Sequence, residues 1–107
     1  MKDIYVYIAG PYTKDDPVIN VRNAMEAANR LIDMGYCVFC PHLSHFLHMA
    51  SPKKYDTWLR HDFMWLRKCD CVLRLSGESK GADEEVELAK SLGKEIVFSV
   101  EEFYDKR

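Results

Sequence analysis

Ile4-Tyr5-Val6-Tyr7-Ile8-Ala9-Gly10-Pro11 is an apolar run of strand length, cut off by two residues that break regular structure. The rest of the chain repeats that unit with helical patterns between. Asp15-Asp16-Pro17 opens a helix, with proline in the first turn, where its missing N–H is no loss. Val21, Ala24, Ala28 and Leu31 recur at helical spacing until Gly35 closes the segment. Tyr36 to Cys40 reads as a second strand stopped by Pro41, and Pro41 to Lys54 as a loop rich in His and Ser. Tyr55 to Lys68 is a second helix, Asp70 to Leu75 a third strand, and Ser76 to Lys80 a polar loop. Ala82 to Leu92 is a third helix stopped by Gly93, Glu95 to Ser99 a fourth strand, and a short helix finishes the chain. Alternation of this kind predicts one α/β domain over residues 1–107, a parallel sheet with helices on both faces. Ligands of such sheets bind outside the carboxyl ends of the strands, which points to Gly10–Lys14, Pro41–His48 and Ser76–Glu85.

Composition narrows the class of partner. The 107 residues are 48% hydrophobic and 30% charged, with a formal net charge of −2 and both signs interspersed. A nucleic-acid polymer calls for a basic footprint, which is missing, so none is expected; a single nucleotide needs only one anion pocket. No run is apolar and long enough for a membrane span. Met1-Lys2-Asp3-Ile4 lacks the charged-then-apolar opening of a signal peptide, so a cytoplasmic protein is expected. Cys37, Cys40, Cys69 and Cys71 are then expected to be reduced. They sit in strand-like runs, where cysteine behaves as a small hydrophobe, and Cys-x-Cys is not the usual paired spacing of a zinc site; no metal is expected.

The chemistry-bearing signal is a pair of carboxylates on apolar helix faces. Helix residues advance by about 100° each. On the third predicted helix, Ala82, Val86, Leu88, Ala89 and Leu92 form a stripe, and Asp83, Glu84, Glu87 and Lys90 face away. Glu85 falls inside the stripe, in the first turn as the pattern places it. On the second, Tyr55, Trp58, Leu59, Phe63, Trp65 and Leu66 are apolar, and Asp62 lies among them. Carboxylates are almost never buried without a partner. One alone is explained as well by a cap or a loop hydrogen bond as by a functional role. Two at the strand-end side of a sheet suit a site where one acts as nucleophile or base and the other as acid.

The neighbouring loops supply binding candidates. Gly10, Pro11, Tyr12, Thr13 and Lys14 come after the first strand; glycine admits close backbone approach, and Thr13 and Lys14 suit a phosphate. The loop carries neither a Gly-x-Gly-x-x-Gly nor a Walker lysine pattern, which excludes those modes of dinucleotide or ATP binding. Ser79, Gly81 and Ala82 open a helix whose free N–H groups suit an anion, though an ordinary helix cap explains Ser79 equally well. His42, His45 and His48 offer base contacts or are merely solvated, and Tyr7 reaches the site if its side chain faces the third helix.

Three motifs in order, Tyr7-Ile8-Ala9-Gly10-Pro11-Tyr12, then Asp62-Phe63-x-Trp65-Leu66-x-x-Cys69-Asp70, then Ser79-x-Gly81-Ala82-x-x-Glu85-x-x-x-Ala89-x-x-x-Gly93-Lys94, resemble the nucleoside 2-deoxyribosyltransferase superfamily, which includes 2′-deoxynucleoside 5′-monophosphate N-glycosidases. The resemblance implies a Rossmann-like, flavodoxin-type sheet of four to five strands, cleavage of N-glycosidic bonds, no cofactor and a homo-oligomer, dimer or larger. By motif position it implies Glu85 as nucleophile at C1′, Asp62 assisting the leaving base, Tyr7 orienting the nucleophile and Ser79 binding a 5′-phosphate. The first loop lacks the Ser and Arg of the nucleotide hydrolases, and the chain is shorter than the transferases. Hydrolysis is therefore expected over base transfer, with a non-catalytic protein that sequesters a nucleotide in the same pocket as the alternative.

Overall fold

The computed structural model describes residues 2–106. In chain order these form β1 (Tyr5–Ala9), α1 (Pro17–Asp33), β2 (Cys37–Phe39), a 3-10 turn (Pro41–Ser44), α2 (His45–Ala50), α3 (Tyr55–Lys68), β3 (Cys71–Arg74), α4 (Lys80–Ser91), β4 (Glu95–Val97) and a closing 3-10 segment (Val100–Lys106). The sheet has four strands in the order β2-β1-β3-β4, each neighbouring pair parallel. No described helix is long and apolar enough to cross a membrane.

Alternation along the strands sends side chains to two cores. Val6 and Ile8 of β1 and Cys71 and Leu73 of β3 pack with Ala24, Ala28 and Leu31 of α1 and with Phe103 of the closing segment. Tyr7 and Ala9 point to the opposite face, with Val72, Leu66 of α3, and Ala82 and Ala89 of α4. The face that carries α3 and α4 is thus the face to which Tyr7 is directed.

Local chemistry fixes the ends. Asp16 caps α1 through the Val18 N–H at 3.0 Å, and Gly35 leaves that helix at φ +94°. The Asp70 carboxylate accepts from the Tyr5 N–H at 2.8 Å, and the Asp70 N–H donates to the Tyr5 carbonyl at 2.8 Å, so β3 enters in register with β1. The Lys94 ammonium donates to the carbonyls of Arg67 and Cys69 at the exit of α3. Gly10 is set by packing, since a Cβ there would lie 2.9 Å from the Leu75 Cβ.

Two expectations change. The stretch 41–54 is not all loop, because Pro41 starts a 3-10 turn, the Ser44 hydroxyl donates to the Pro41 carbonyl at 2.7 Å, and α2 begins at the next residue. And α4 begins at Lys80 rather than Ala82, which moves Glu85 from the first turn to the second.

Candidate active site

The strand order creates the site. From β1 the chain steps outward to β2, then crosses back over β1 to reach β3. The loops after β1 and β3 therefore diverge, and a crevice opens between them at the carboxyl edge. It holds about 900 Å³ and is walled by the β1 loop, the turn and helix after β2, the first half of α3 and the start of α4.

Glu85 and Asp62 both line this crevice. Glu85 is only 7% exposed, and its carboxylate accepts a hydrogen bond from the Tyr7 hydroxyl. Being in the second turn, it takes its support from the strand below rather than from the helix end. Burial pushes the Glu85 carboxyl up to about 8; the negative charge of Asp62 adds to the rise, and the Tyr7 hydrogen bond opposes it. Burial likewise lifts Asp62 to about 6, against the pull of the adjacent His61, whose Nδ1 lies 3.4 Å from it. Burial above all, then Glu85 and Asp62, hold the Tyr7 hydroxyl protonated far beyond the ordinary tyrosine range, so it acts only as a donor. Between about pH 6 and 8 the two carboxyls together carry one negative charge.

Gly10, Tyr12, Thr13, Lys14, His45, Ser79, Gly81 and Ala82 also line the crevice. Tyr7 lies beneath it and reaches Glu85 through its hydroxyl. Pro11 stands apart from the wall; it packs where a Cβ on Gly77 would meet its Cγ at 2.7 Å, and its carbonyl accepts from His42 Nε2 at 2.8 Å. Lys14 reaches Glu78 across the mouth at 3.7 Å, an exposed pair. The Ser79 hydroxyl accepts from the Ala82 N–H at 3.1 Å, which is the cap reading, and its own proton remains available to a ligand. The Tyr12 hydroxyl bonds His45 Nδ1.

His42 corrects the solvated alternative. It is buried, burial lowers its basicity, and it ties the β1 loop to the turn after β2. Site residues that the sequence pattern did not single out are Trp58 and Tyr55, which it assigns to the core, together with Lys53; His48, offered by the sequence as a base contact or a solvated residue, also lines the crevice. The available signal was spacing, since Trp58 precedes Asp62 by one helical turn and so shares its face. On α3 only Leu66 is fully buried, and Tyr55 is mostly exposed. The apolar face of this helix is therefore a crevice wall at its start and core only at its end. Cys37 is exposed and Cys40, Cys69 and Cys71 are buried, none of them in a disulfide; among the described residues no three His, Cys, Asp or Glu side chains are grouped to hold a metal.

A family model described as a domain of unknown function, DUF4406, matches residues 4–98. The chain belongs to the DUF4406 family. A search of curated proteins finds no match to this sequence. Among solved structures, this DUF4406 chain is similar to the 2-deoxyribosyltransferase of the psychrotolerant bacterium Bacillus psychrosaccharolyticus, with a TM-score of 0.66 and 19% identity over 86% of this chain and 69% of that one. At that identity the likeness concerns the fold. The DUF4406 chain has the Rossmann-type α/β fold of a deoxyribosyltransferase.

Proposed function

We propose that this DUF4406 protein cleaves the N-glycosidic bond of nucleosides or their 5′-monophosphates by a retaining mechanism, acting as one domain over residues 1–107. The observation that carries this reading is Glu85, a buried carboxylate held by Tyr7 in a crevice it shares with Asp62. Its support is the agreement between this geometry, the shared fold and the motif positions.

Ionised Glu85 attacks C1′ as the bond from C1′ to the base nitrogen breaks. Asp62 delivers its proton to the departing base, and a glycosyl ester on Glu85 remains. Water, activated by the Asp62 carboxylate, then attacks C1′, releases the sugar and returns the proton to Asp62. In the free crevice burial raises both carboxyls, Glu85 further than Asp62, so Glu85 is the more readily protonated of the two. Positive charge developing on the sugar favours the reverse arrangement, which the reaction needs. Hydrolysis rather than transfer, a cytoplasmic setting and a homo-oligomer belong to the same proposal. The exposed Tyr55, Met64 and Trp65 along α3 are apolar surface for a second copy to cover.

The test is chromatographic detection of free base from a panel of ribo- and deoxynucleosides and their 5′-monophosphates, with and without an acceptor base. Base released by the wild type and not by Glu85→Ala is the expected result. Unchanged ligand retained at stoichiometry, with no release from any substrate, would identify a sequestering protein instead.

A further inference from the structure

His48 is held in a way that gives its ring a single direction of hydrogen bonding. The Trp58 indole Nε1–H donates to His48 Nδ1 at 2.9 Å, and the Lys53 backbone N–H donates to the same atom at 3.1 Å. A nitrogen that accepts two N–H groups carries no proton. The neutral ring is thereby the Nε2–H tautomer. Nε2–H has no partner among the described residues, and His48 lines the crevice. The network also consumes the only polar atom of the Trp58 side chain, leaving its ring to offer apolar surface. The polar group left over in the wall formed by His48 and Trp58 is thus a donor and not an acceptor.

The place of this wall in the sheet decides what it meets. His48 comes from α2, after β2, and Ser79 from the start of α4, after β3; these strands flank β1 on opposite sides. The two groups therefore address opposite ends of a ligand. Asp62, one turn after Trp58 on α3, marks the end where the base departs. That last step rests on the proposed glycosidase reading.

We propose that His48 is a specificity-determining residue that donates Nε2–H to an exocyclic oxo group of the nucleobase, so that the crevice prefers 6-oxopurines and 4-oxopyrimidines to their amino counterparts. An amino group at that position places donor against donor and strands the Nε2–H of His48, and a site built to pair one polar group rejects its mismatch by about ten- to a hundredfold.

The test uses matched pairs that differ mainly at that position, hypoxanthine against adenine and uracil against cytosine. Binding of the free bases is measured by calorimetry, beside turnover of the corresponding 2′-deoxynucleoside 5′-monophosphates. The wild type should favour the oxo member of each pair. His48→Ala should bring the ratio close to one by weakening the oxo base. His48→Gln should also level it, but by admitting the amino base, because an amide can turn to present its oxygen. Nitrogen NMR of the His48 ring should show a protonated Nε2 and a bare Nδ1 in the wild type. Trp58→Phe should shift that ring toward a tautomer mixture and reduce the preference. A wild type that favours amino bases or neither, or a His48→Ala variant that keeps the wild-type ratio while folded, overturns the assignment. Oxo preference in binding without base release would leave this inference standing and remove the glycosidase reading.

Discussion

Glu85 pays for its position in protonation free energy. A carboxyl raised from 4.5 to about 8 binds its proton more tightly in the native than in the unfolded chain. Its contribution to stability is complete below about pH 4.5 and is lost as the pH climbs through 8. Glu85→Gln removes the group that must ionise. Its stability should match the wild type near pH 5 and exceed it increasingly up to pH 9, by on the order of 3 kcal/mol, as read by denaturant titration at several pH values. The same variant should lose base release by about a thousandfold or more. A variant no more stable at pH 9 than at pH 5, relative to wild type, would show that Glu85 is not desolvated in solution. The rate itself should follow a bell. The proposed cleavage needs one ionised and one protonated carboxyl, so kcat/KM should rise through about pH 6 and fall through about pH 8. Tyr7→Phe tests the coupling, since the Tyr7 hydrogen bond is the larger of the two influences, with the charge of Arg74, that oppose the upward shift of Glu85. Without it the proton stays on Glu85 to higher pH, so the alkaline limb should move up while maximal kcat/KM falls by about ten- to a hundredfold. An unmoved limb would mean that Tyr7 merely packs.

At the scale of elements, the parts of the site that were legible in the sequence are those carried by periodicity. Glu85 breaks the stripe of α4, and Asp62 that of α3, so both stand out as residues on the wrong face of an otherwise apolar helix. The role of Trp58 was not legible for the converse reason: an aromatic residue on an apolar face looks the same whether it covers a sheet or walls a cavity. The stretch 41–54 misled because a 3-10 turn and a helix as short as α2 are closed by single contacts, such as that of Ser44 with Pro41, and leave no repeat to detect. None of the residues of α2 is fully buried, so no apolar stripe was needed there. Ser79 was ambiguous between cap and anion site, and the geometry makes it a cap first. Ser79→Ala should lower stability by about 1 kcal/mol through loss of the bond to the Ala82 N–H, measured by urea unfolding. A second readout separates the roles. If Ser79 also donates to a 5′-phosphate, the variant should lose activity toward monophosphates while keeping that toward nucleosides; equal loss on both leaves it a cap alone.

Across the whole molecule, the sheet divides labour between its faces. Tyr7 points to the side with α3, α4 and the crevice carboxylates, whereas Val6 and Ile8, its neighbours in sequence, point to the side with α1 and the closing segment. The proposed chemistry belongs to the former face, and the latter packs the sheet against α1 and the closing segment. Phe103 shows how much rests there. It is 1% exposed and meets the Tyr36 ring edge-on, with centroids 5.0 Å apart, so it holds the end of the described chain against α1 and the residue that leads into β2. Truncating a buried phenylalanine costs about 3–5 kcal/mol, a large part of the roughly 5–15 kcal/mol that keeps a domain folded. Phe103→Ala should therefore melt many degrees below the wild type. Nothing that touches Glu85, Asp62 or His48 changes in this variant, so at temperatures well below its transition its kcat/KM and its pH profile should be those of the wild type. Matched thermal melts and low-temperature kinetics check this. A folded Phe103→Ala protein with a displaced bell would mean that the two faces are coupled through β1, and the independence of scaffold and site argued from strand alternation would have to be abandoned.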